Sequence, residues 1–281
     1  MGWEFERILP LLGEVIALER SEVDVSDIQN VKKILDQVKP NLIINTSAYT
    51  NVDRAETEME RVMKVNALAP AVMAETAHKT GAVFIHYSTD YVFDGASDVP
   101  YTELDRTNPL NVYGQSKLIG EENIKQAGDA YLILRTSWVY SLRGNSFVNK
   151  VLGWAHKHES LKIVSDQISN PTWARMLAGI TSLLLAQNNA NLLEIVREKR
   201  GLYHVAGRGY TSRYEWAKQI LANDPNLREQ VVRNLEAARS EDFPTPALRP
   251  LFSALDCTRF EDTFGLIMPN WNGALKLAMT Q

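Results

Sequence analysis

Cysteine and uninterrupted apolar sequence are both scarce in this chain of 281 residues. Its single cysteine, Cys257, excludes an intrachain disulfide and fits a reducing compartment. Alone, it reads as a small buried hydrophobe rather than a nucleophile. No run approaches the roughly 18 consecutive apolar residues that a bilayer-crossing helix needs, so no membrane partner is expected. The N-terminus lacks the basic-then-apolar pattern of a signal peptide. Charge of one sign is missing too. Lys and Arg number 30 against 34 Asp and Glu, spread along the chain for a formal net charge of −4, so no nucleic-acid partner is expected. With 45% hydrophobic and 23% charged residues, the composition is that of a soluble, cytoplasmic globular protein.

In the first half, short apolar runs alternate with helical patterns. Strands are predicted at 15–18, 42–45, 83–87 and 131–135, with helices at 28–38, 58–79 and 112–126 between them. Continuous apolar strands separated by helices read as parallel strands covered on both faces, an α/β doubly wound sheet. Beyond Tyr140 the rhythm changes, to helices at 146–156, 174–187 and 212–222 and short strands at 161–164 and 202–205. Thr211 is the predicted N-cap of the last of these helices. The proline-rich segment 243–250 reads as extended. Residues 1–140 with 161–190 are assigned to a dinucleotide-binding lobe, and 141–160 with 191–281 to a smaller substrate lobe.

Tyr113-Gly114-Gln115-Ser116-Lys117 carries the strongest chemical signal. Tyr and Lys four apart share one helix face, so an ammonium there is expected to lower the phenol's pKa and prepare an acid–base tyrosine. By itself the pattern is common on surface helices. Here two polar clusters accompany it, each just past a predicted strand: Asn45 to Thr50, and Tyr87 to Gly95 with Ser88, Thr89 and Asp90. Ligands bind at such strand ends in open α/β sheets. His156 and His158, two apart on a helix, point to different sides and read as solvated, so no metal site is expected. Asn66 reads as a tie between helix and loop. Arg249 is read equally as a diphosphate ligand or as half of an ion pair.

The segments NTSAYTNVDRAE, VNALAP, HYSTDYVFDG, NPLNVYGQSKLIGE, LILRTSWVY, NPTWAR, GLYHVAG and ALRP resemble the dTDP-4-dehydrorhamnose reductases, a branch of the extended short-chain dehydrogenase/reductases. The resemblance implies a Rossmann-type fold and NAD(P)H-dependent reduction at C4 of dTDP-6-deoxy-L-lyxo-4-hexulose to dTDP-L-rhamnose. It implies Tyr113 as proton donor, Lys117 on the nicotinamide ribose, and Thr89 polarising the keto group with Ser88 in support. Ala48, Tyr49 and Thr50 would line the cofactor cleft and Asp24 and Val25 would flank the adenine. Val52, Ser88, Asp90, Trp138 and Arg249 would meet the sugar nucleotide, although Trp138 also reads as a core aromatic. The family pattern places a strand and a Gly-x-x-Gly-Gln-x-Gly turn ahead of this point, and of that turn the chain carries only Gly2. Without them, weak dinucleotide binding and low stability are expected unless another segment fills the gap. Glu19, at the predicted end of the 15–18 strand, suits a ribose 2′-OH, while the adjacent Arg20 suits a 2′-phosphate, so NADH and NADPH both stay open. Magnesium dependence and a homodimer stay open as well. Two alternatives remain: a sibling reductase of other C4 stereochemistry, and a non-catalytic regulatory subunit like the β-subunit of methionine adenosyltransferase.

Overall fold

The computed structural model describes residues 1–280. Its main sheet holds four parallel strands in spatial order β1 (Leu42–Asn45), β2 (Val83–Thr89), β3 (Tyr131–Thr136) and β4 (Gly201–His204). Side chains alternate across these strands, as the two-residue period requires. Val83, Ile85, Tyr87, Leu132, Leu134 and Tyr203 pack on one face, against the helices Gly2–Ile8, Ala174–Gln187 and Thr258–Phe264. Ile43, Phe84, Tyr131, Ile133 and Leu202 pack on the other, against the helices Ile28–Val38, Ala69–Thr80 and Val112–Ala127. Burial on both faces explains why the strands read as unbroken apolar runs.

Three expectations change. Residues 15–18 form no strand; they run as irregular backbone along a cavity of about 1960 Å³. The edge of β1 borders the same cavity, and no described strand lies beyond it to pair with either segment. Glu19 therefore ends no strand; its carbonyl accepts the turn bonds from Glu22 and Val23. The sheet also redraws the lobes. Gly201–His204, assigned to the substrate lobe, is the fourth strand of the main sheet, while Ser160–Val164 leaves that sheet to pair in parallel with Asn234–Ala238. Finally, Ser212 rather than Thr211 caps the helix Arg213–Ala222, accepting from the Glu215 N–H at 3.1 Å.

The predicted helix 58–79 is present, but interrupted by one π-helical turn, Lys64–Leu68. Pro70 supplies the reason: it has no N–H to bond the carbonyl four residues back, at Asn66, and its ring crowds that oxygen. The released carbonyl points at the helix Val112–Ala127, onto Gly120, where any Cβ would collide with it. Gly114 makes the same kind of approach to the Tyr91 carbonyl. Two glycines thus let this helix lie against the backbone of its neighbours. Asn111 caps the helix at the Gly114 N–H (2.8 Å) and also donates to the Leu248 carbonyl (2.7 Å), tying the proline-rich segment to it.

Gly120→Ala should cost about 1–3 kcal/mol through this overpacking. Gly153→Ala, in the helix Phe147–Ala155 with nothing within 4 Å of an added Cβ, should instead stabilise by roughly 0.5–1 kcal/mol. Urea unfolding of the two variants checks the opposite signs.

Candidate active site

The helix Val112–Ala127 presents Tyr113, Lys117 and Glu121 at steps of four, so all three side chains share one face. That face meets the C-terminal end of β2, where residues 86 and 88 point toward it. Lys117, 1% exposed, donates from Nζ to the Tyr87 carbonyl at 2.6 Å and lies 2.9 Å from His86 Nε2. Glu121, fully buried, accepts from Arg135 Nε (2.9 Å) and Nη2 (2.6 Å) and from the Ser88 hydroxyl (2.5 Å). This fork-shaped pair anchors the helix to β3. Ser88 is committed to that anchor and faces the helix rather than a ligand, which corrects its expected place in the sugar-nucleotide site.

Thr89 points the other way and stands beside the hydroxyl of the partly buried Tyr113. Tyr113 also meets the edge of the Tyr91 ring, 5.8 Å between centroids. Burial holds the Tyr113 hydroxyl above the ordinary tyrosine value, and the Thr89 hydroxyl draws it back only in part. The expected lowering by Lys117 is not found: its amine is turned to the Tyr87 carbonyl and His86, not to the phenol. Tyr113 is therefore a protonated phenol in the ligand-free protein. Burial also lowers Lys117 itself, to about 8.

Asp90, 2% exposed, forms the floor beside Thr89. It accepts from Ser253 Oγ at 2.6 Å, Ser169 Oγ at 3.1 Å and Thr89 Oγ1 at 3.1 Å. Desolvation still lifts its carboxyl to about 6, against those three bonds. Trp138 sits at a left-handed φ of 39°, a strained conformation for an aromatic residue. It stacks on Trp216 at 5.4 Å and carries the Arg213 guanidinium 3.9 Å from its ring centre. It is thus part of an aromatic core, the alternative its sequence also offered. Arg249 takes the structural alternative: it grips Asp53 through Nη2–Oδ2 (2.7 Å) and Nη1–Oδ1 (3.1 Å), holding the proline-rich segment to the short helix that Val52 begins. Tyr91, Arg213, Glu121 and His86 were not singled out from sequence. Glu121 continues the four-residue step of Tyr113 and Lys117, and His86 the alternation of Ser88, so both were open to pattern reasoning. Arg213 comes from a distant helix and left no local signal.

Of the residues expected at the cofactor, Gly2, Glu19, Asp24, Val25, Ala48, Tyr49 and Thr50 all line the large cavity. Tyr113 and Lys117 lie outside its lining. The Asp24 carboxylate bonds Ser26 and pairs with Arg61 at 3.7 Å, and the Tyr49 hydroxyl donates to Glu58 at 2.9 Å. Asn66 is the predicted tie: it accepts from the Tyr49 N–H (2.8 Å) and donates to Ser116 Oγ (2.9 Å). His156 pairs with Asp224 at 2.9 Å, and the described residues hold no cluster of metal ligands. No described helix is long and apolar enough to cross a membrane.

Comparison with known proteins adds to this geometry. Residues 1–281 match the family described as RmlD substrate binding domain. A dTDP-4-dehydrorhamnose reductase of Burkholderia thailandensis is 37% identical over 288 aligned residues, covering 99% of this chain and 94% of that protein. The crystal structure of a dTDP-4-dehydrorhamnose reductase from Clostridium acetobutylicum superposes with a TM-score of 0.90 at 33% identity, over 99% of this chain and 94% of the other. The Bacillus anthracis enzyme of the same name, solved in complex with NADP, gives 0.87 at 29% identity with the same coverage.

The buried Asp90 generates a pH prediction. With its folded pKa near 6, above the ordinary carboxylate value of 3.8, the folded chain holds a proton that the unfolded chain has released. Its contribution to stability is fully present below the ordinary value and is lost as pH rises through about 6. Asp90→Asn should flatten the fall in stability across that window, read from unfolding midpoints at a series of pH values.

Proposed function

From a chain that belongs to the RmlD substrate-binding-domain family, we propose a nicotinamide-dependent reductase of the C4 keto group of dTDP-6-deoxy-L-lyxo-4-hexulose, yielding dTDP-L-rhamnose. The observation that carries this reading is the Tyr113 hydroxyl beside the Thr89 hydroxyl at the C-terminal end of β2, with a buried lysine one helical turn away. Two hydroxyls side by side can hold one carbonyl oxygen: Thr89 donates a hydrogen bond that polarises it, and Tyr113 donates the proton that turns it into an alcohol.

The part of the cavity beside Ser47 and Ala48, past the C-terminal end of β1, has the small residues that let a dinucleotide approach the backbone, while the rest of its about 1960 Å³ runs along the β1 edge to Gly81 and Val83. When bound, NADPH or NADH supplies the hydride. Gly2, Ala48, Tyr49 and Thr50 would form the wall along it, with Asp24 and Val25 at the adenine. Glu19 or Arg20 would read the ribose 2′ position, and both are exposed on the cavity rim. Lys117 would hold the nicotinamide ribose. On the sugar-nucleotide side, Val52, Asp90, Trp138 and Arg213 would form the walls, and Arg249 would reach a diphosphate by exchanging Asp53 for phosphate oxygens. A phenol held protonated by burial suits the reductive direction, in which it must give up a proton rather than accept one.

Tyr113→Phe removes the donor and keeps the ring. Turnover should fall by about 10²–10⁴ with dTDP-sugar affinity nearly kept. Stopped-flow turnover and calorimetric binding, measured side by side, check this. Near-wild-type turnover would remove Tyr113 from the chemistry.

A further inference from the structure

The buried contact between Lys117 and His86 raises a question of proton count, and its answer is set two residues away. Asn45 Oδ1 accepts from the Ser47 backbone N–H at 3.0 Å and from Ser47 Oγ at 2.6 Å. A backbone N–H can only donate, so the oxygen of Asn45 must face Ser47 and its NH2 must face His86. That NH2 lies 3.1 Å from His86 Nδ1 and can also only donate, so Nδ1 is the acceptor. A neutral imidazole with a bare Nδ1 carries its proton on Nε2. His86 is fully buried, and burial pushes its pKa well below the ordinary value, so the ring stays neutral. The Nε2 proton then points at Lys117 Nζ, 2.9 Å away. Two N–H groups cannot both donate across that distance. Nζ must offer a lone pair.

The surroundings agree. On its own helix Lys117 faces Tyr113 and Glu121, and the Glu121 carboxylate is already neutralised by Arg135 from β3. From β2 it meets His86 and the Tyr87 carbonyl, and β1 contributes only the uncharged Asn45. No free anion is left to hold an ammonium there.

We propose that His86 is a positioning residue that favours the neutral amine of Lys117 over its ammonium in the ligand-free protein, by donating its Nε2 proton to Nζ. Protonation of Nζ breaks that bond, so the charge of Lys117 and the orientation of the His86 ring change together. The inference does not depend on which sugar is reduced, and it is tested without cofactor or substrate.

The test is NMR of the ligand-free chain. Long-range ¹H–¹⁵N correlations give the His86 tautomer, and the Lys117 ¹³Cε shift, assigned by its loss in Lys117→Met, gives the amine titration. Wild type should show a lysine midpoint near 8, with the Nε2–H tautomer of His86 above it, where the amine is the main form. Two variants reverse the lock. Asn45→Asp keeps the bonds from Ser47 but presents oxygen to Nδ1, so the proton should move to Nδ1 and free Nε2 to accept from an ammonium. His86→Gln can turn its amide oxygen toward Nζ. Each should raise the Lys117 midpoint by about one pH unit or more, a tenfold gain in proton affinity. A purely structural histidine predicts no such rise in His86→Gln, which adds no charge, and the wild-type tautomer keeps the test open if that variant fails to fold. A wild-type ring protonated at Nδ1, or a Lys117 midpoint unchanged in both variants, would overturn the proposal.

Discussion

Everything that gives this site its chemistry depends on one close helix–strand contact, the docking of Val112–Ala127 against the C-terminal half of β2. The contact is polar at its centre, which is costly unless every group finds a partner. Lys117 and Glu121 come down from the helix; His86, Ser88 and Arg135 come up from the strands. Removing one member would leave a buried charge uncompensated, which is why such networks fix geometry more than they add stability. The approach itself is allowed by absence of side chain, at Gly114 and Gly120. Once seated, the helix puts Tyr113 beside Thr89 with no further adjustment.

The second half of the chain completes what the sheet begins. Asp90 sits at the end of β2, yet two of its three hydroxyl partners, Ser169 and Ser253, arrive from far along the sequence. Arg213 and Trp138 close the same region by stacking, and Arg249 reaches back to Asp53. This region is therefore a junction between the main sheet and the smaller elements around it, at the strand ends where open α/β sheets bind ligands. The strained backbone at Trp138 lies at this junction, held there by Trp216 beneath its ring and Arg213 above.

Much of this was legible in the amino-acid order, and the failures have physical causes. Periodicity found β2, β3 and the helix of Tyr113, because burial on both faces makes a central strand a continuous apolar run. The same rule misread residues 15–18, since an apolar run forms a strand only where a neighbour offers backbone to pair with. It also misplaced Gly201–His204, because sheet membership is decided by register across long separations. At the site, Tyr113 was visible through its four-residue spacing from Lys117 on a helix, and Thr89 and Asp90 as a polar cluster at a strand end. Ser88 was misjudged because the direction of one side chain depends on strand alternation, and Lys117 because spacing along a helix does not say where a long side chain ends. The orientation of the Asn45 amide, on which the charge of Lys117 turns, is invisible without Ser47 in place.

The central claim is that this pocket delivers a hydride and a proton across one C4 carbonyl. The most direct measurement is to supply dTDP-6-deoxy-L-lyxo-4-hexulose with NADPH deuterated at the transferring position of the nicotinamide, and to read the sugar by NMR. The account predicts one deuterium, at C4 of a rhamnose-configured product. No deuterium at C4, or deuterium at C4 of a sugar with the opposite configuration there, would contradict it.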